Sequence, residues 1–173
     1  MKSFAFAFLA ALAVAAVPVY AQPGCPANVK AIPFRSIDHH QIIVSVSVNH
    51  SGPYDFLLDT GTQTTVLDQS LASELGVSST GNATVAGLSF KGGVTYANLA
   101  SLEVGDHRLT NQSVLVYDMK DVQAAGFSIR GLLGDDFLSR YDVFIDHRNS
   151  LLCMDDTGSM SGSLADASPT ARR

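Results

Sequence analysis

The chain has 173 residues, of which 46% are hydrophobic, and its formal net charge is −5. This composition is typical of a globular protein, and the length fits a single domain. The sequence has no basic patch, which argues against nucleic acid as the main partner.

The N-terminal segment has the pattern of a secretory signal peptide. Lys2 supplies a positive charge, residues 3–17 are apolar, and Ala21 provides the small residue that signal peptidase requires. We therefore predict that residues 1–21 are removed and that the protein is exported, either to a periplasm or to the medium. The alternative is an uncleaved membrane anchor, but the apolar run is shorter than the roughly 20 residues of a spanning helix. We expect no membrane association after cleavage.

Export would place the two cysteines, Cys25 and Cys153, in an oxidising compartment where thiols pair. A disulfide between them would tie the two ends of the folded domain together. Pairing depends on geometry, so the sequence leaves both the bridge and free thiols open. The five histidines show no spacing typical of metal ligands, and we predict neither a metal nor another cofactor.

The first strong strand signal lies at residues 43–48, where apolar residues alternate with serines. Turn-forming residues follow at 49–53. The returning segment, FLLD, has three consecutive apolar residues before the aspartate, which is typical of a strand buried on both faces. These two strands form a predicted hairpin that delivers Asp59 to the interior.

The remainder of the domain is predominantly of strand type. Asp68 is a predicted N-cap of a short helix that ends at Gly76. Gly92-Gly93 and Gly105-Asp106 indicate hairpin tips, and a second short helix follows GLLG at residues 131–134. We predict a mainly β fold, a small closed barrel with one or two short helices, spanning residues 22–154.

The triplet Asp-Thr-Gly occurs twice, at Asp59 and at Asp156. The second copy lies in residues 155–173, which are rich in Gly, Ser and Ala and which we predict to be a disordered tail. The first copy follows an apolar strand, and another strand resumes soon after it. An aspartate can activate water for attack on a peptide bond if a second carboxyl shares its proton, because one group is then the base and the other the acid. We predict that only Asp59 takes part in such chemistry.

Three motifs together resemble the retropepsins, the retroviral-type aspartic proteases. They are LLDTG followed by TVL, a glycine-rich hairpin at about residues 90–94, and GLLGDDFL. The chain is most similar to exported bacterial single-domain aspartyl proteases, over residues 42–154. The resemblance implies an acid-protease barrel with three groups of site residues. These are the catalytic loop Asp59, Thr60 and Gly61; the substrate-binding flap with Phe90, Gly92 and Gly93; and the supporting strand Leu132, Leu133 and Gly134.

The resemblance also implies an aspartic endopeptidase that acts on extended peptides or unfolded proteins. Since one functional Asp-Thr-Gly is predicted per chain, the two carboxyls would come from a homodimer, with Thr60 near the twofold axis. Two features depart from the viral pattern: Thr62 replaces a small residue, and Asp135-Asp136 replaces an arginine-containing pair. The alternatives are a non-catalytic peptide-binding protein with the same fold and a structural exported β-domain.

Overall fold

The computed structural model describes residues 24–26, 29–38, 40–83, 93–124, 126–158 and 160. The predicted signal peptide and flap residues Phe90 and Gly92 lie outside these ranges. The strands in chain order are β1 (Ala31–Pro33), β2 (Arg35–Ile37), β3 (Gln41–Val48), β4 (Ser51–Leu58), β5 (Val66–Asp68), β6 (Ser79–Ala83), β7 (Val94–Val104), β8 (His107–Tyr117), β9 (Gly131–Leu133), β10 (Asp142–Asp146) and β11 (Leu151–Asp155). The helices are α1 (Gln69–Glu74), α2 (Lys120–Ala124) and α3 (Asp135–Leu138). In the described part of the chain, none is long and apolar enough to cross a membrane.

The fold is mainly β, as predicted, and most strands belong to one sheet. Eight strands hydrogen-bond in the order β2-β3-β4-β9-β5-β8-β7-β6, and β3 also pairs with β7. The pairing of β3 with β7 closes a hydrogen-bonded ring through β3, β4, β9, β5, β8 and β7. A separate sheet has the order β1-β11-β10.

The described residues contain three short helices, whereas the sequence predicted one or two. The additional helix, α2, has only five residues, which is too short for an apolar periodicity to show in the sequence. Asp118, two residues before the helix, accepts a hydrogen bond at Oδ1 from the Lys120 N–H at 3.1 Å.

The interior of the ring holds the main hydrophobic core, and a smaller apolar layer lies on the other face of the sheet. Strand β4 contributes to both: Phe56 is fully buried in the main core, whereas Leu57 packs against the second layer around Ile43, Met119 and Ile129. The strand leading to Asp59 therefore packs on both faces, as predicted, although Leu57 and Leu58 are only half-buried. The carboxyl of Asp59 is thus attached to a strand with little freedom to move.

Cys25 and Cys153 form a disulfide that crosses 128 residues of sequence. Cys153 is fully buried in β11, where it pairs with Ala31 of β1 and Phe144 of β10. In the chain-entropy model, closing a loop of this length stabilises a fold by about 4–5 kcal/mol. The bond therefore anchors the start of the described chain to the central strand of the second sheet.

Candidate active site

The loop that starts at Asp59 joins β4 to β5, and β9, a strand from a distant part of the sequence, lies between them. Strand β9 pairs in parallel with β4 (Leu58 opposite Leu133) and antiparallel with β5 (Val66 opposite Leu132). The Asp59 N–H continues this ladder and donates to the Leu133 carbonyl at 3.0 Å. The loop therefore leaves and re-enters the sheet on either side of β9, which holds its two ends in place.

The first residues of this loop place a carboxylate beside backbone N–H groups. Gly61 N–H donates to Asp59 Oδ1 at 2.9 Å, and Thr62 N–H donates to the Asp59 carbonyl at 3.3 Å. Asp59 is half-buried, while Thr60 and Gly61 are exposed. A Cβ on residue 61 would lie only 3.2 Å from Asp59 Oδ1. Glycine at this position therefore allows the tight turn beside the carboxylate, and Asp59 is half-buried rather than placed in the interior as predicted.

Both glycines that flank Leu132-Leu133 permit close approach of other chain segments. A Cβ on Gly134 would lie 2.8 Å from Thr65 N, and one on Gly131 would lie 2.5 Å from the Val66 carbonyl oxygen. Leu133 between them is fully buried in the main core. The structure therefore places Leu133 next to Asp59, at the start of the loop, and Gly134 next to Thr65, at its end.

A buried polar network behind the loop was not predicted. Thr65, which is fully buried, donates from its hydroxyl to Asp136 Oδ1 at 2.7 Å and accepts a hydrogen bond from Gly134 N–H at 3.1 Å. Gln112 Nε2 donates to Asp136 Oδ2 at 2.9 Å. The only sequence signal was the departure from the viral pattern at Asp136; nothing local connects that residue with Thr65 or Gln112.

An apolar row crosses the sheet beside the loop, on the face that carries the second apolar layer. Residues in register on neighbouring strands share a face. The row runs in spatial order through Ile43, Leu57, Leu132, Val66 and Leu115 to Tyr96. Leu57 lies two residues before Asp59, and Tyr96, at the far end, is 41% exposed. Within the row, Leu57 and Leu132 are half-buried near the carboxylate, whereas Ile43, Val66 and Leu115 are buried.

The segment that contains α2 packs on one end of this row. Met119 and Ile129 are buried there, and Val122 and Phe127 pack against the same cluster as Leu57. Buried Asp68 holds the segment, because its Oδ1 accepts a hydrogen bond from the Met119 N–H at 3.2 Å. The α2 segment therefore covers this end of the apolar row.

The exposed side of the α2 segment carries an acidic group just before the helix. The Lys120 ammonium donates to the Asp118 carboxylate at 3.0 Å, and this hydrogen bond lowers the pKa of Asp118 below its usual value. Asp118 therefore stays ionised to a lower pH than an unpaired aspartate would.

The second Asp-Thr-Gly has different surroundings. Asp156 is exposed and follows β11. The Thr157 hydroxyl donates to Asp155 Oδ1 at 2.7 Å, and the Met160 N–H donates to Asp155 Oδ2 at 3.1 Å. Asp155, the first residue of the predicted tail, is the last residue of β11, and Met160 is buried. This triplet forms a turn organised by the preceding aspartate.

The flap residues are described only in part. Phe90 and Gly92 lie outside the described residues, and Gly93 is exposed immediately before β7. Among the residues that the structure does describe, no three His, Cys, Asp or Glu side chains are grouped so that they could hold a metal ion.

The ring of strands and the loop locked on β9 define a retropepsin-like aspartic protease fold. A family model described as aspartyl protease matches residues 44–137, more than half of the chain and including both Asp59 and Gly134. The chain therefore belongs to the aspartyl protease family.

One solved structure agrees at the level of the fold. The chain is 21% identical to a retropepsin-like aspartic protease from Rickettsia conorii, with a TM-score of 0.51, and the match covers 74% of this chain and 92% of that one. It is 15% identical to the retroviral protease-like domain of Ddi1 from Leishmania major, with a TM-score of 0.45, covering 66% of this chain and 92% of that one. A comparison with curated proteins gave no match.

Proposed function

We propose that the protein is an aspartic endopeptidase whose catalytic carboxyls are the two Asp59 side chains of a homodimer. The observation that carries this proposal is the setting of Asp59: a half-buried carboxylate that accepts the Gly61 N–H and follows a strand clamped to β9. Such a group is accessible to substrate and is also held in one position, as general acid–base catalysis requires.

The reaction would be direct attack of water on a peptide carbonyl. One Asp59 would be ionised and accept the proton of the water, while the other would be protonated and donate to the carbonyl oxygen. The first would then pass its newly acquired proton to the leaving nitrogen, and the second would regain a proton from the tetrahedral hydroxyl as the C–N bond breaks and the carbonyl re-forms. The need for two such groups is the reason for a dimer. Each chain has one Asp-Thr-Gly with these surroundings, because the triplet at Asp156 is a turn after β11. A twofold axis next to the exposed Thr60 would bring the two loops together.

The substrate would be an extended peptide or an unfolded protein. An extended chain presents side chains alternately on its two sides, and the half-buried Leu57 and Leu132 beside the loop would accept apolar side chains next to the cleaved bond. The hairpin with Phe90, Gly92 and Gly93 would bind the peptide backbone in the manner of an added strand.

If the two chains of a dimer share one active site, mixing wild-type protein with an inactive variant should lower activity in a characteristic way. Wild-type protein would be mixed with Asp59→Asn at constant total concentration under conditions that allow subunits to exchange. In an equal mixture, about one quarter of the dimers would carry two intact Asp59 residues, so activity would fall to about a quarter, whereas independent active monomers would retain about half. The measurement is the rate of cleavage of oxidised insulin B chain, followed by mass spectrometry.

The control for this mixture is wild-type protein diluted with Asp156→Asn, for which activity should not change with the ratio. A strictly linear dependence on the fraction of wild-type chain, or a species that is active and purely monomeric by sedimentation, would contradict the homodimeric site.

We further propose that the protein is exported. The disulfide between Cys25 and Cys153 supports this, because such bonds persist in oxidising compartments. We expect the exported chain to begin at Gln22 and to contain no free thiol. Intact-mass measurement before and after reduction and alkylation tests both points; retention of residues 1–21 or two alkylated cysteines without reduction would contradict the proposal.

A further inference from the structure

We propose that Asp136 is a positioning residue that holds the Asp59 loop in its catalytic geometry. This inference rests on the proposed function and names the group that maintains its site. Asp136 lies in the first turn of α3, and its carboxylate contacts the far end of the loop rather than Asp59 itself.

The carboxylate of Asp136 accepts three hydrogen bonds from uncharged donors. Its Oδ1 accepts the Thr65 N–H at 2.9 Å and the Thr65 hydroxyl at 2.7 Å, and its Oδ2 accepts Gln112 Nε2 at 2.9 Å. Thr65 is completely buried and Gln112 is 9% exposed. An ionised carboxylate is acceptor-only, so it matches a site lined by donors.

These contacts hold the loop at the end opposite to Asp59. At its beginning the Asp59 N–H is bonded to the Leu133 carbonyl, and toward its end the Gln63 carbonyl accepts the Asp136 N–H at 3.1 Å. The loop is thus hydrogen-bonded to β9 at its beginning and to the start of α3 toward its end. Asp136 supplies the side-chain part of the second attachment, and it joins the loop to Gln112 on β8.

Removal of this carboxylate would leave buried donors without acceptors. The Thr65 N–H and the Gln112 amide would have to move toward other partners, since a buried unpaired donor is costly. The movement of Thr65 would change the path of the loop back to Asp59. Catalysis by paired carboxyls depends strongly on their separation, and a misplacement of about 1 Å can reduce a rate about a hundredfold.

The test compares Asp136→Ala with two matched variants, using a peptide that wild-type protein cleaves in an Asp59-dependent manner. We expect Asp136→Ala to lower kcat by about tenfold to a hundredfold with little change in KM. Asp136→Asn should restore kcat to within about threefold, because its Oδ1 can accept both Thr65 donors while Gln112 turns its amide to accept from Nδ2. Asp135→Ala removes the same charge from the exposed neighbouring position and should match wild type.

Thermal unfolding followed by circular dichroism would show whether each variant is folded at the assay temperature. If Asp136→Ala is not folded, Thr65→Val takes its place: a methyl replaces the hydroxyl that donates to Asp136 and accepts the Gly134 N–H, and kcat should fall. Unchanged kcat in the folded variants, or an equal loss in Asp135→Ala, would overturn the role of Asp136 while leaving the proposed function intact. Absence of any Asp59-dependent cleavage by wild type would overturn both.

Discussion

The Asp59→Asn variant is expected to hydrolyse peptides at least about a thousandfold more slowly than wild type, because asparagine can neither accept the proton of the water nor donate one. Asparagine keeps the size of the side chain and an oxygen that can accept the Gly61 N–H, so the fold should be retained. The measurement is kcat/KM for a peptide identified by mass spectrometry among the cleavage products of oxidised insulin B chain, determined across acidic to neutral pH.

The control for this experiment is built into the chain. Asp156→Asn makes the same chemical change in the same three-residue motif, at an exposed turn after β11. It should have wild-type activity. Equal cleavage by wild type and Asp59→Asn would reject the proposed mechanism, and binding of peptide without cleavage by wild type would favour the alternative of a peptide-binding protein. Loss of activity in Asp156→Asn would assign a role to the second triplet.

The Gly131→Ala variant is expected to lower the free energy of unfolding by about 2–3 kcal/mol, at the upper end of the usual cost of overpacking. The added Cβ would lie 2.2 Å from Phe56 Cε1 and 2.5 Å from the Val66 carbonyl oxygen. Phe56 is fully buried and Val66 belongs to the neighbouring strand, so neither can move without disturbing the sheet. Urea denaturation followed by circular dichroism measures the change.

Gly24→Ala is the matched control, since a Cβ there would meet nothing within 4 Å. Its unfolding midpoint should equal that of wild type. A Gly131→Ala protein within about 0.5 kcal/mol of wild type would mean that β9 can separate from β4 and β5 at little cost. We also expect Gly131→Ala to reduce activity, because β9 anchors the start of the Asp59 loop.

Much of the fold near Asp59 could be predicted from short stretches of sequence. The alternation in β3, the turn residues after it and the apolar run in β4 act over a few residues, so they indicate a hairpin without knowledge of the remainder. The same holds for α1, which begins after Asp68 as expected. That residue, however, uses its carboxylate to bind the Met119 N–H, and it forms no side-chain cap of the helix. Neighbouring residues were enough to predict where the helix begins. They could not predict that the Asp68 carboxylate binds Met119, which is distant in sequence.

The two Asp-Thr-Gly triplets show what sequence context adds to a motif. Their letters are identical, and only the flanking residues distinguished Asp59 from Asp156. The structure describes the same difference as geometry: one triplet joins two strands around β9, and the other is a turn tied to Asp155. The prediction that Leu132, Leu133 and Gly134 support the loop came from the resemblance to retropepsins, because no local sequence pattern specifies which strand packs behind a loop.

The sequence by itself determined the mainly β class, the strand that ends at Asp59 and the glycine-flanked Leu132-Leu133, because periodicity and turn propensity are local properties. Only the tertiary structure decided that Thr65 meets Asp136 across 71 residues of sequence and that Cys25 reaches Cys153 across 128. Hydrogen bonds and disulfides form over a few ångströms, and those distances are set by how distant strands pair. The support of the Asp59 loop is therefore a property of the assembled sheet rather than of any one segment.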